Sequence, residues 1–142
     1  MLSEEQVELS EHRLNKAKDS LEQAKVLLDH KMFDGSINRS YYAIFYSIRS
    51  ILSLVNLDSS KHSGVLSMFD RYFVKNGLFD KKFSKIAHTG FDVRQDSDYE
   101  DFYILEEKEA SSQFVGAEKF VREVEYKRIQ FVNEEISLPE IS

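Results

Sequence analysis

Between Ser36 and Val55, three different sets of side chains recur at helical spacing. Ile37, Tyr41, Ile44, Ile48, Ile51 and Val55 make an apolar face. Ser36, Ser40, Ala43, Ser47 and Ser50 make a face of small side chains, and Arg39, Tyr42, Tyr46, Arg49 and Ser53 make one of cations and phenols. A surface helix has one apolar stripe and a charged back. A helix patterned on three faces needs neighbours on most sides, which places it in the middle of a helical bundle.

The remaining sequence agrees with long helices. One Pro and five Gly in 142 residues leave few breaks, and eleven Phe with seven Tyr supply core bulk without Trp. Ser3 and Gln6 form a capping box opening a first helix that runs to about His30. Asp34 caps the second, which continues to about Asn56, and Asp58-Ser59-Ser60 offers caps for a third, stopped at Asn76-Gly77. Asp80 caps a fourth helix, in which Gly90 suggests a close backbone approach. The acidic, aromatic run from Gln95 to Tyr103 breaks the pattern before a final helix from about Leu105 to Arg128. The fold class is all-α: an up-and-down four-helix bundle with an additional short helix, occupying residues 1–130, followed by a tail at 131–142 that loses periodicity.

Charge and composition exclude several functions. The net charge of −6 argues against wholesale coating of nucleic acid. Its distribution is uneven, with Lys61 to Arg94 locally basic and Asp96 to Glu109 strongly acidic. Cysteine is absent, and no apolar run reaches the ~20 residues of a membrane span. The amino terminus is unlike a signal peptide, so the cytoplasm is the expected location. There is no glycine-rich phosphate loop. The histidines (His12, His30, His62, His88) are scattered and no Glu-x-x-His pair occurs, so no metal site is expected.

Three constellations remain: Arg39–Tyr42–Tyr46–Arg49, Ser60-Lys61-His62-Ser63-Gly64, and Arg94-Gln95-Asp96-Ser97-Asp98-Tyr99. For each there is a structural alternative. Arg94 and Asp98 can be an intrahelical pair, the Arg–Tyr stripe can be core or dimer packing, and Lys61 with His62 can simply open a helix.

The succession NRSYYAIFYSIRSIL, SSKHSG and RQDSDY resembles the HEPN domain family, over roughly Ala17 to Tyr126. The resemblance is closest to small stand-alone HEPN proteins and implies a dimerising helical bundle that partners a minimal nucleotidyltransferase, often as a toxin–antitoxin pair. It also implies RNA or nucleotide binding at a dimer cleft lined by Arg39, Tyr42, Tyr46, Arg49, Lys61 and His62, without a cofactor. Active members resemble metal-independent RNases using an Arg and a following His. By this resemblance Arg94, Asp98 and Tyr99 occupy the catalytic positions, but four residues separate Arg94 from Tyr99 and not from a histidine. Tyr99 and Tyr103 lie where some pairs carry a nucleotide-modified tyrosine. A binding module that lacks the catalytic histidine is the leading expectation; an active endoribonuclease toxin and a purely structural helical module are the alternatives.

Overall fold

The computed structural model describes residues 2–99 and 107–142, with Asp98 and Tyr99 as backbone only. Among them every regular element is helical: α1 (Glu4–Asp29), α2 (Phe33–Ser53), α3 (His62–Phe69), which continues into a π-helical turn (Asp70–Val74), α4 (Lys81–Tyr99) and α5 (Glu107–Val132). Four long helices and one short one make the expected bundle. No described helix is long and apolar enough to cross a membrane.

The ends of these helices follow local chemistry. The Ser3–Gln6 capping box forms, with both reciprocal hydrogen bonds, at 2.8 and 3.1 Å. The second helix begins earlier than a cap at Asp34 would place it. Lys31 takes a left-handed conformation (φ 59°), and the Met32 amide returns to the Leu27 carbonyl at 2.8 Å. Asp34 therefore lies inside the first turn of α2, and Met32 precedes that helix without a side-chain cap. Gly77, at φ +86°, stops the chain after the π-helical turn, and Asp80 receives the Lys82 amide at 2.9 Å ahead of α4. The fourth helix persists to Tyr99, through a stretch whose acidic composition suggested an earlier end.

α2 is central and touches α1, α3, α4 and α5. Its small-residue face is wholly buried, with Ser36, Ser40, Ala43, Ser47 and Ser50 no more than 1% exposed. It meets a matching row on α1: Ser10, Leu14, Ala17, Ser20 and Ala24. The Ser36 hydroxyl donates to the Ala24 carbonyl (2.9 Å), and the Ser50 hydroxyl donates to the Ser10 carbonyl (2.6 Å). One position rises as the other falls, so the two helices run antiparallel. α5 closes the seam: Arg128 donates to the Ser10 hydroxyl (2.8 Å) and the Val7 carbonyl (3.0 Å), and Lys18 pairs with Glu125.

On its apolar face α2 packs into the main core, where Phe69, Phe73, Phe79, Phe83, Phe120 and Phe131 form a connected set of ring contacts. The chain beyond α5 packs instead of fraying: Ile136 and Leu138 lie on this core, and the Ser142 carbonyl accepts from the Tyr72 hydroxyl at 3.1 Å.

Gly90 is buried against α2, yet a methyl group there would meet the Ile44 Cδ1 atom at 3.4 Å and the Gln113 Oε1 atom at 3.6 Å, ordinary contact distances. The close approach is one that alanine can also make. Gly90→Ala is expected to raise stability by up to about 1 kcal/mol through helix propensity. A lowered midpoint in urea denaturation would contradict this.

Candidate functional site

The cation–phenol stripe of α2 divides into two halves. At its amino-terminal half the Tyr42 ring is the hub. The Arg39 guanidinium lies over it at 4.9 Å from the ring centre, held in place by two hydrogen bonds to the Asn38 side-chain carbonyl (2.8 and 3.1 Å). Arg94, arriving from α4, lies 5.5 Å from the centres of both Tyr41 and Tyr42 and donates to the Tyr42 hydroxyl at 3.3 Å. Guanidinium groups from two helices thus meet on one aromatic ring, an arrangement that cation–π attraction favours. Tyr46 continues the aromatic surface, 5.8 Å from Tyr42, with the Lys16 ammonium 5.0 Å above it. Arg39 also lines a groove of about 600 Å³ between α1 and α2, together with Asp19, Glu22, Gln23, Val26 and Leu27.

The carboxyl-terminal half is an ion network. Arg49 grips Asp58 through two hydrogen bonds, at 2.8 and 3.2 Å, and Arg13 of α1 joins the same carboxylate at 3.2 Å. Arg13 also donates to the Ser53 hydroxyl (2.7 Å) and the Arg49 carbonyl (3.4 Å). Burial alone would push the Asp58 carboxyl up. The hydrogen bonds from Arg49 and the Ser59 amide, with the charges of Arg49 and Arg13, outweigh it and hold the group below its usual range. Asp58 therefore anchors the connection between α2 and α3 and does not cap α3, as its position in the sequence had suggested.

α3 begins at His62, with Lys61 before it, exposed and without a side-chain cap bond. The Lys61 amide donates to the Ser59 hydroxyl (3.2 Å), and that hydroxyl sits where a Cβ on Gly64 would lie only 2.3 Å away. The glycine of the SSKHSG motif thus makes room for the turn that delivers His62. The imidazole stacks on Phe45 (4.2 Å between centres, 26°) and meets the edge of Tyr42 at 5.8 Å. Its Nδ1 atom lies 2.8 Å from the Tyr41 hydroxyl.

Burial, followed by the charges of Arg94 and Arg49, lowers the His62 pKa. The sign follows directly. Below about pH 6.5 the unfolded chain takes up a proton that the folded ring resists, so stability falls as the solution is acidified through that region. The melting temperature of the wild-type protein is expected to drop more steeply between about pH 7 and pH 5 than that of His62→Gln; parallel profiles would contradict the assignment.

Arg39, Tyr42, Tyr46, Arg94 and His62 therefore share one aromatic surface. Arg49 lies beside it, over the Phe45 ring at 5.8 Å, and is committed to Asp58, while Lys61 stands at the exposed rim. The side chains of Asp98 and Tyr99, and Tyr103 entirely, lie outside the described residues. His88 projects elsewhere and pairs with Asp70 at 2.6 Å. Sequence reasoning missed Tyr41 and Phe45 as members of the cluster, since Tyr41 reads as core, and it missed Arg13 and Asp58. Arg13 carried one usable signal: it is a cation on the α1 side that packs against α2, beside buried Leu14.

In chemical terms the cluster offers hydrogen-bond donors and π-faces. Guanidinium groups recognise phosphate and carboxylate oxygens, and tyrosine and histidine rings provide surfaces for bases to stack on.

Similarity to other proteins places this chain in a family. The HEPN domain model matches residues 10–128. A UPF0332 protein of Thermotoga maritima is 35% identical over 121 residues, spanning 85% of this chain and 92% of that protein. Two Methanocaldococcus jannaschii proteins, each carrying the name "Putative toxin", are 37% identical over 105 residues and 31% identical over 100 residues. These matches cover 74% and 70% of this chain, and 78% and 68% of the respective relatives. The HEPN match, running from α1 into α5, makes this chain a member of the HEPN domain family.

Proposed function

We propose that this protein is the toxin-like member of a pair with a minimal nucleotidyltransferase, and that it binds RNA or nucleotide, as a homodimer, on the surface around Tyr42. The observation that carries this reading is the meeting of Arg39 and Arg94 on the Tyr42 ring, with His62 alongside. Two guanidinium groups suit phosphate, the rings suit stacked bases, and Arg and Tyr are the residue types enriched at the centres of interfaces. The toxin names of two relatives support the genetic setting. Since Arg94 is followed by Asp98 and Tyr99 and by no histidine at that spacing, binding is proposed here and not strand cleavage.

The test is direct. Purified protein is mixed with fluorescein-labelled single-stranded RNA and, separately, with a co-expressed transferase encoded beside its gene. RNA binding that weakens in Arg94→Ala, and co-purification that is lost in Arg39→Glu or Tyr46→Ala, support the proposal. A protein that ignores both RNA and transferase refutes it. RNA nicked by the wild type but not by Arg94→Ala would establish the endoribonuclease alternative.

A further inference from the structure

The Tyr41 hydroxyl lies 2.8 Å from His62 Nδ1, and the direction of that hydrogen bond decides which nitrogen of the imidazole carries the proton. We infer that Tyr41 holds His62 as a neutral ring protonated at Nε2, so that His62 and Arg94 present a pair of hydrogen-bond donors to a phosphate oxygen and His62 cannot serve as a base. This inference rests on the phosphate-binding reading above and deepens it, because it assigns the atoms that donate.

The argument begins with the phenol. Tyr41 is only 1% exposed, and a buried hydroxyl without an acceptor is costly. Among the described residues its one hydrogen-bond partner is His62 Nδ1, at 2.8 Å. Burial raises the Tyr41 pKa, an effect that Arg94 opposes without reversing, so the phenol keeps its proton. Tyr41 therefore donates and Nδ1 accepts. A neutral imidazole has one donor and one acceptor nitrogen, so the remaining proton sits on Nε2. In the opposite tautomer the phenol oxygen would accept from Nδ1–H, and the phenol's own proton would be left without an acceptor among the described residues.

Further contacts keep the ring neutral and in place. It is stacked on Phe45 (4.2 Å) and on Tyr41 (5.6 Å, 20°), and its edge contact with Tyr42 limits rotation. Among the described residues, the charged groups acting on it are Arg94 of α4 and Arg49 of α2, both cations that disfavour a further positive charge. The Asp58 carboxylate is bound to Arg49 and Arg13. Nε2 has no hydrogen-bond partner among the described residues. Both His62 and Arg94 contact the same Tyr41–Tyr42 pair of rings.

In this state a histidine stands beside an arginine without acting as the base of a nuclease. Taking the 2′-hydroxyl proton requires a free ring lone pair, and the lone pair of this ring is occupied by Tyr41. The matching ligand chemistry is a phosphoryl group, available as free phosphate or as part of a nucleotide.

The test reads the tautomer itself. In ¹⁵N-labelled wild-type protein near pH 7.5, long-range ¹⁵N–¹H correlation should show His62 with a pyridine-type Nδ1 and a protonated Nε2, and Tyr41→Phe should shift the ring toward a mixture of tautomers. Inorganic phosphate and 5′-AMP are then titrated separately. Movement of the Nε2–H signal with either probe supports the donor role; response to AMP alone assigns a nucleotide, and response to both assigns the phosphoryl group as sufficient. Glutamine can donate an N–H but cannot act as a base at neutral pH, so His62→Gln should keep affinity within about twofold, whereas His62→Ala should lose about tenfold. A bare Nε2 in the wild-type protein, no response to either probe, or a His62→Gln variant as weak as His62→Ala would overturn the inference. Failure of RNA to bind while tautomer and phosphate response hold would remove the RNA reading alone.

Discussion

An Arg94→Ala protein is expected to remain folded and to bind single-stranded RNA or 5′-AMP between about ten- and a hundredfold more weakly than the wild type, the range for losing a hydrogen-bonded charge. Arg94 is half-buried between α2 and α4, lies over two tyrosine rings and donates to the Tyr42 hydroxyl. It is therefore held in place before any ligand arrives, and little entropy is lost on binding. Lysine is expected to restore only part of the affinity, since an ammonium lacks the planar fork that sits on a ring and still donates. Arg39→Ala should have a smaller effect, because that guanidinium lies over the Tyr42 ring alone, whereas Arg94 lies over two rings. Fluorescence anisotropy at fixed salt measures these differences; equal losses for Arg39→Ala and Arg94→Ala would remove the special position given to Arg94.

The second large effect concerns stability. Phe120 is fully buried and contacts Phe69 at 5.4 Å and Phe83 at 5.8 Å, joining α5 to α3 and α4. Phe120→Ala removes a ring from the junction of three helices and is expected to cost about 3–5 kcal/mol. For a chain of this size, that lowers the melting temperature by roughly 10 °C. The loss should be visible by far-UV circular dichroism, with RNA affinity at low temperature little changed, because the Tyr42 cluster lies on different side chains. A drop of only a degree or two would mean that the cavity collapses, or that this junction is not shared in the way described.

Much of the fold was legible because several local signals agreed. The three-sided patterning of α2 requires a central position, and the structure gives that helix neighbours on every patterned side. The Ser3–Gln6 box and the stop at Gly77 follow from short-range chemistry that tertiary contacts had no reason to override. Boundaries set by competition were harder to read. Asp34 and Asp58 look like caps in sequence. Lys31 takes the turn first, however, and two arginines claim Asp58 from a distance of 9 and 45 positions along the chain. For the candidate site, sequence spacing nominated Arg39, Tyr42, Tyr46 and His62, but not the relation among them. Tyr41 belongs to the apolar face by periodicity, and only the fold brings its hydroxyl to His62. Arg13 was hidden for a similar reason, since its partners lie on other elements.

The serine seam has a mechanical consequence. Hydroxyls near both ends of α2 are tied to fixed carbonyls of α1, so sliding one helix past the other by a turn would orphan several buried groups together. The pair behaves as a stiff ruler, which sets the spacing of Arg39, Tyr42 and Tyr46 permanently. The surface that Arg39, Tyr42 and Tyr46 build on that ruler therefore keeps one shape for every ligand it meets.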